Sequence, residues 1–262
     1  MNRIMHTAAS GMAAQQLNID TISNNLANVN TTGFKKSRVE FQDLLYQSIK
    51  PAGALTMGDA ESPTELQVGC GVRSMGTAKM FTQGEILETG NQLDVAINGD
   101  GFFQVVLPDG TQQYTRDGAF KISSDGQLVT SDGYALEPEI SIPTDTTSIA
   151  ISLDGVVSAY IADEELPQEV GQIELARFIN PGGLKNMGHN LYSRTEASGE
   201  PVFGTPTEEG FGQLEQMYLE TSNVDLVSEM VNMIVAQRAY EINSKSIRTA
   251  DDMMSMVNQL KR

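Results

Sequence analysis

The side chains best placed to do chemistry in this 262-residue sequence are two adjacent acidic pairs, a lone cysteine, two histidines and a run of Asp-Gly dipeptides. The pairs Glu164-Glu165 and Glu208-Glu209 could act as general acid and nucleophile at a glycosidic bond. That chemistry needs one carboxyl with a raised pKa, which the polar surroundings of both pairs do not provide, so they read as solvated surface. The span Asp154 to Glu165 has the ends of a calcium loop but lacks its central Gly, and no Asp-Gly pair follows the calcium-loop spacing. Gly99-Asp100-Gly101 is followed by neither a third Gly, a Lys nor a helical pattern, so it does not cradle phosphate. Cys70, between Gly69 and Gly71, has no neighbouring Lys, His or thiol to activate it, and as the only cysteine it excludes an intrachain disulfide. His6 and His189 lie too far apart in the sequence to suggest an acid–base pair. The sequence therefore predicts no catalytic, cofactor-binding or metal-ligating residues, and no cofactor.

Composition points the same way. Seventeen Lys and Arg against 34 Asp and Glu give a formal charge of −17, which argues against a nucleic-acid partner. Hydrophobic residues at 40% are enough for a folded core, yet no apolar run approaches the ~20 residues of a membrane span, so no membrane insertion is expected. The opening MNRIMHTAASGMAAQQ lacks the apolar stretch of a secretory signal. Charge is uneven. Residues 1–50 carry a net of +2 and 221–262 a net of zero, while 51–220 hold 7 basic and 26 acidic residues, a net of −19. Near-neutral ends can crowd against other copies, whereas the acidic middle belongs in water.

The ends carry helical periodicity. Met5, Met12, Ile19 and Leu26 recur every seven residues, with Ala8, Gln15, Ile22 and Val29 as a second column, the alternation of a coiled-coil seam. Gly11, Ala8, Ala9, Ala13 and Ala14 would let another backbone approach, and Asn28–Gly33 breaks the pattern. Near the C-terminus Leu226, Met233, Tyr240, Ile247 and Met254 are again seven apart, with Ala236, Asn243, Ala250 and Val257 behind them. Ser222 followed by Asp225 resembles a capping box and predicts a helix from about Asn223. One antiparallel pair leaves the outer apolar positions, Met1 and Met12 among them, exposed, so the ends are expected to order fully only when copies pack together.

The middle reads as β. The Asp-Gly pairs at 109, 117, 125 and 132 punctuate alternating apolar and polar residues, which predicts short antiparallel strands joined by tight turns. The 180–210 stretch, rich in Gly, Pro and Asn, reads as loop, and Ile49 to Val72 reads as a linker or extended arm without a period.

Two long runs then resemble a known family. NNLANVNTTGFKKSRVEF, with Asn25, Leu26, Ala27, Asn28, Thr31, Gly33, Phe34 and Lys35 at its core, is similar to the N-terminal signature of the bacterial flagellar rod and hook axial subunits. SNVDLVSEMVNMIVAQRAYEINSKSIRTADDM resembles the family's C-terminal signature, and NQLDVAINGDGFFQV and YTRDGAFKISSDGQLVTSDGY its β domain. The likeness covers essentially the whole chain. The segment between Tyr46 and Arg73, the total length and the short acidic β domain resemble the rod members rather than the longer hook members. In the rod members this segment packs against neighbouring subunits and stiffens the tube.

The resemblance implies an α+β chain. Its discontinuous N- and C-terminal helices (1–34 with 222–262) would form a coiled-coil core domain, residues 35–73 an extended connecting arm, and 74–221 a mostly antiparallel β domain. It implies a structural subunit, not an enzyme, polymerising with itself into a rigid helical tube that transmits torque. Further implied partners are proximal rod and hook subunits, the surrounding P and L rings and the flagellar type III export apparatus. The place is the basal-body rod crossing the periplasm, reached without a cleaved signal. Assembly would fall to Met5, Met12, Ile19, Ile22, Leu26, Val29, Leu226, Met233, Tyr240, Ile247, Met254 and Val257. Within the family a proximal rod or hook subunit is the alternative, and two readings of other classes compete: a secreted acidic glycan-active enzyme, which needs two converging carboxylates, and a monomeric coiled-coil interaction module.

Overall fold

The computed structural model describes residues 2–52, 64–161, 166–208 and 210–260. Met1, the centre of the expected arm, Glu164-Glu165, Glu209 and the last ligand positions of the Asp154–Glu165 span lie outside the described residues. The chain divides into two compact units. A helical unit takes Met1–Leu26, Ser37–Ala78 and Asp225–Arg262, and a β unit takes Ala27–Lys36 and Lys79–Val224. This partition differs from the expected one. Residues 27–34 join the β unit because Gly33 N donates to Glu220 O at 2.8 Å and Asn223 N to Phe34 O at 3.4 Å.

In the helical unit, helix α1 (Asn2–Ala27) and helix α2 (Leu226–Leu260) span roughly 39 and 52 Å at 1.5 Å per residue. Helix α2 starts later than the capping box predicted. Asp225 is the cap: its Oδ1 accepts from Val227 N at 3.0 Å, its Oδ2 from Ser228 Oγ at 2.6 Å, and its carbonyl from Glu229 N at 3.0 Å. Ser222 Oγ accepts from Val224 N at 3.4 Å instead.

The two helices run antiparallel in one register. Ile4 and Ala250 line a common hollow, a Cβ on Gly11 would stand 2.9 Å from Asn243 Nδ2, and Asn25 Nδ2 donates to Glu229 Oε2 at 3.5 Å. Each step up α1, seven residues and then fourteen, matches an equal step down α2.

The stretch read as a featureless arm is largely paired where it is described. Strand β1 (Ser37–Asp43) pairs with β4 (Val72–Lys79), and β2 (Gln47–Lys50) runs antiparallel to β3 (Leu66–Val68) with Gln47 opposite Val68. Short strands with exposed apolar members, such as Ile49 and Leu66, give no clean alternation for a sequence pattern to detect. The turn before β4 presses on α1, where Ser10 Oγ accepts from Val72 N at 3.4 Å.

The β unit follows with β5 (Ile86–Glu88), β6 (Val95–Asn98), β7 (Phe102–Val106), β8 (Gln112–Thr115), β9 (Lys121–Ile122), β10 (Leu128–Val129) and β11 (Ala135–Glu137). After these come β12 (Thr146–Ile151), β13 (Val156–Ile161), β14 (Gln168–Gln172), β15 (Leu175–Arg177), β16 (Lys185–Gly188) and β17 (Leu191–Ser193). Strands β18 (Val202–Gly204), β19 (Gln213–Gln216) and β20 (Tyr218–Glu220) complete it. A nine-stranded sheet has the order β16-β17-β8-β7-β11-β10-β9, with β15 also on β7 and β18 on β15. Strands β12-β13-β14 form a separate sheet, and β19 pairs with β6 and β20 with β5, all antiparallel.

Strand β7 shows why the nine-stranded sheet is buried on both faces. Phe103 enters the main core with Val95, Ile97, Phe120 and Leu175, while its neighbour Phe102 packs with Tyr114, Phe178 and Tyr192. Successive side chains of a strand point to opposite faces, so both faces must be covered here.

Two expectations need correction. Three of the four evenly spaced Asp-Gly pairs turn the chain, with Gly110, Gly126 and Gly133 at φ of 79°, 80° and 88°. Asp117-Gly118 does not. Gly118 has an ordinary φ and is required by close approach, since a Cβ there would lie 1.7 Å from Val95 O. The 180–210 stretch contains β16, β17 and β18 rather than only loop. His189 and Asn190, at φ of 53° and 58°, form the two-residue turn of the β16–β17 hairpin, and the buried Leu191 and Tyr192 fix its register.

Candidate assembly surfaces and a buried charge cluster

Placing the expected assembly residues on the helices separates them into two roles. The seam between α1 and α2 runs through Ile4, Gly11 and Asn25 against Ala250, Asn243 and Glu229, and the same step sets Asn18 opposite Ala236. Its buried members are small or polar for the most part: Ala8, Ala14, Ile22, Asn25, Glu229, Ala236 and Ala250. Met5, Met12, Ile19, Leu26, Val29, Met233, Ile247 and Met254 are half-buried, and Leu226, Tyr240 and Val257 are exposed. Ile22 alone of the expected assembly residues is fully buried.

Large apolar side chains that the heptad columns did not include are exposed along α2. Val227, Met230, Val231, Ile234, Val235, Ile242, Met253 and Met256 are each about half exposed or more. At 100° per residue Val227, Val231 and Ile234 fall roughly opposite the column of Glu229, Ala236, Asn243 and Ala250, and Met230, Val235, Ile242 and Met256 lie on its flanks, whereas Met253, three residues after Ala250, lines the seam hollow with Ile4. The helix thus has one face closed by its own chain and another left bare. Of the expected close-packing residues, Gly11 faces Asn243, whereas Ala9 and Ala13 point to solvent.

The signature segment does something else. Thr31 to Lys36 threads into the β unit. Thr32 Oγ1 donates to Asp117 Oδ1 at 3.0 Å and Asn190 Nδ2 to Thr32 O at 3.0 Å. Gly33, at φ 64°, packs so tightly on Asp117 N that a Cβ would stand 2.7 Å away. Lys35 is fully buried, and its Nζ donates to Glu220 Oε1 at 2.5 Å and to Thr82 O at 2.8 Å. Glu220 Oε1 also accepts from Gly84 N at 2.8 Å, and its Oε2 stands 3.5 Å from Arg116 NH1. Arg116, equally buried, donates to Ile97 O and Gly99 O, and its guanidinium lies 5.5 Å over the Phe102 ring. Two cations thus share one carboxylate in a site water does not reach.

Burial sets the electrostatics. It is the largest influence on Lys35, holding its ammonium below the usual lysine range, while Glu220 pulls it back up and Arg116 pushes it down. Burial lowers Arg116 as well, against the pull of Glu220 and Asp100. Tyr192 beside them is pushed up by burial and by the Glu220 charge. Asp117 is raised by burial, although the Ala119 N–H and the Thr32 hydroxyl favour its ionised form. Lys79 sits 4.4 Å over the Phe34 ring and donates to Lys35 O at 2.7 Å, and desolvation lowers it too.

Asn223 fastens the next residues, donating to Met80 O at 2.8 Å and accepting from Lys36 N at 2.8 Å. Within the helical unit Asn25 plays the matching part, donating to Ser37 O and accepting from Ser37 N at 2.8 and 2.9 Å. Sequence reasoning singled out Lys35 and Asn25 but not Glu220, Arg116 or Asn223. Nothing local marks them, because Lys35 and Glu220 are 185 residues apart.

Among the described residues no group of three His, Cys, Asp or Glu could hold a metal. His6 is exposed, His189 stands 3.4 Å from Asp132 at the surface, and Cys70 is a half-buried free thiol.

Comparison with known proteins accounts for this layout. The family model described as "Flagella basal body rod protein" matches residues 5–35. "Flagellar hook protein FlgE/F/G D1 domain" matches 96–159, and "Flagellar basal body rod FlgEFG protein C-terminal" matches 215–260. The flagellar basal-body rod protein FlgG of Borreliella burgdorferi is 53% identical, with 100% of both chains covered. The chain belongs to the family of flagellar basal-body rod proteins. Within that family it is a distal rod structural subunit of the flagellum. The FlgG proteins of Caulobacter vibrioides and Bacillus subtilis are 50% and 42% identical over 98% and 100% of each chain. A hook protein structure, FlgE2 of Helicobacter pylori, is 15% identical, covers 64% of this chain and 48% of that one, and has a TM-score of 0.25. In this rod protein the buried cluster draws one member from each matched stretch: Lys35, Arg116 and Glu220.

Proposed function

We propose that this rod subunit polymerises with copies of itself through the bare face of α2 into a rigid helical tube that carries torque from the motor to the hook. The terminal helices form the nested coiled-coil core of that tube, and the β unit stays outward in water. Residues 46–73 act as an arm that packs on neighbouring subunits and stiffens the wall. Proximal rod subunits, hook subunits and the P and L rings are its neighbours in the periplasm. The type III export apparatus delivers the chain without a cleaved signal, and the protein performs no catalysis.

The observation that carries the reading is the outward apolar stripe on α2. Seven large side chains off the seam, each about half exposed or more, would gain on the order of 1 kcal/mol apiece on burial, a driving force of about 7 kcal/mol before the costs of association. A charge in that stripe removes more than it replaces, because an unpaired carboxylate buried between subunits costs several kcal/mol. Ile234→Asp, at a position 55% exposed in the single chain, should leave the fold intact and abolish tube formation by the purified protein. Sedimentation and electron microscopy read the result. Tubes of normal length from the variant would refute the proposal.

A further inference from the structure

The β unit holds a second exposed apolar patch, and its charge says what covers it. The unit carries 8 basic and 23 acidic residues, a net of −15, so two copies brought together at random repel. Its charge is segregated along the chain. Residues 122–176 contain 11 acidic residues and no basic one, whereas Arg177, Lys185 and Arg194 follow in the next 18 positions.

Strand β15 brings Arg177 to a recess of about 390 Å³ floored by Phe81, Phe102, Phe178 and the buried Arg116. Asp100 also lines it. With Lys35 and Glu220 behind Arg116, the local balance is +1, the reverse of the surface at large. At the mouth Ile179 is 88% exposed, the barest large apolar side chain of the unit, and Val202 on the edge strand β18 is half exposed. Among the described residues strand β18 pairs only with β15, which leaves its outer edge open.

We infer that this recess is a lateral subunit contact that receives the acidic surface of the β12-β13-β14 sheet from a second copy of the chain. Strand β13 presents the exposed Tyr160 on the face that carries the exposed Glu169 of β14, and the β12–β13 turn presents the exposed Leu153 next to Asp154, an apolar and anionic pairing that matches an apolar and cationic recess. The two patches differ, so the contact is heterologous. It does not close on itself as a twofold dimer would, and it repeats from copy to copy. Electrostatic steering between them makes the contact weaken as salt rises. The inference rests on the tube reading and adds a contact to it that the terminal helices do not supply.

The test uses full-length chains and measures the critical concentration for tube formation by sedimentation. Ile179→Asp adds a charge where the side chain is solvated in the monomer, so near-ultraviolet circular dichroism of the monomer should not change. Its critical concentration should rise roughly tenfold or more. Glu169→Lys, on the opposite half of the contact, should raise it several-fold, and 0.5 M salt should weaken the wild type in the same direction. If the wild type forms tubes and Ile179→Asp forms them equally well, this contact is wrong and the helical reading survives. If Ile179→Asp fails but neither Glu169→Lys nor salt has any effect, the acidic occupant is wrong. If the wild type forms no tubes at all, the tube reading falls and takes this contact with it.

Discussion

Replacing Glu220 by Gln isolates the value of the buried charge cluster. The amide keeps the shape of the carboxylate and an oxygen that can accept from Lys35 Nζ and Gly84 N, at 2.5 and 2.8 Å in the wild type. What it removes is, among the described residues, the only negative charge within ion-pair distance of Lys35 and Arg116, both fully or almost fully buried. If hydrogen bonding were the whole contribution, the loss would be about 1 kcal/mol. Leaving buried cations without a counter-charge costs about 3–5 kcal/mol instead, a large share of the 5–15 kcal/mol that holds a typical domain together.

Urea unfolding, followed by tyrosine fluorescence of the β unit, which contains five of the seven tyrosines as against the single Tyr240 of α2, measures that loss. Combining the substitution with Lys35→Met gives a double-mutant cycle whose coupling term should exceed about 2 kcal/mol. The pH dependence supplies a separate check. Burial holds Lys35 below its ordinary 10.5, so from that lowered value up to 10.5 the unfolded chain binds more protons than the folded one. Stability contributed by this group therefore rises with pH across the window. Without Glu220, which pulls Lys35 upward, the window opens at lower pH. A loss below 1 kcal/mol with an unchanged pH profile would refute the reasoning, because Thr82 O, Ile97 O and Gly99 O would then suffice to compensate both cations.

Gly11→Leu should wedge the helical seam, since even a Cβ at that position stands 2.9 Å from Asn243 Nδ2. The expected cost is about 1–3 kcal/mol, seen as lost hydrogen-exchange protection along α1, and unchanged protection would contradict the register. Asp117→Asn should be more stable than the wild type at neutral pH. Burial raises Asp117 above 3.8, so its stabilising contribution is full below 3.8 and is lost as pH rises through the folded value. The gap between variant and wild type should close as pH falls towards 3.8, and a constant gap would show that the carboxyl is not the cause.

Helix α2 was legible because 35 residues without Gly or Pro keep one period, but the face that pairs with α1 was harder to read. Periodicity marks where large apolar residues lie, and on α2 many of those face away from the chain's own partner. The seam is built from Ala236, Asn243 and Ala250, residues that an apolar count passes over. The β character of 95–137 was visible in alternation and turns, yet Gly118 deceives because a glycine needed for close approach looks the same as one needed for a turn. The hairpin at His189 and Asn190 was lost in a composition typical of loops. Lys35 could be picked out within its motif, but its partners at 116 and 220 are joined to it only by the fold.

The composition of the seam has a consequence for how such a chain can assemble. Ala and Gly at the crossing points contribute little burial, so α1 and α2 are not held together chiefly by apolar area. Asn18, Asn25 and Asn243 contribute specificity, since a polar residue at a seam position fixes register at some cost in stability. A slip of one heptad would move Asn25 from Glu229 to Ala236 or out past Ser222, and would bring Gly11 against Ala236 or Ala250 in place of Asn243. Every such slip separates Asn25 from Glu229. The register is thus set within one chain, by residues that leave the large apolar side chains of α2 uncommitted. In the proposed helical polymer a register fixed in this way would let every subunit present its outer stripe at the same height.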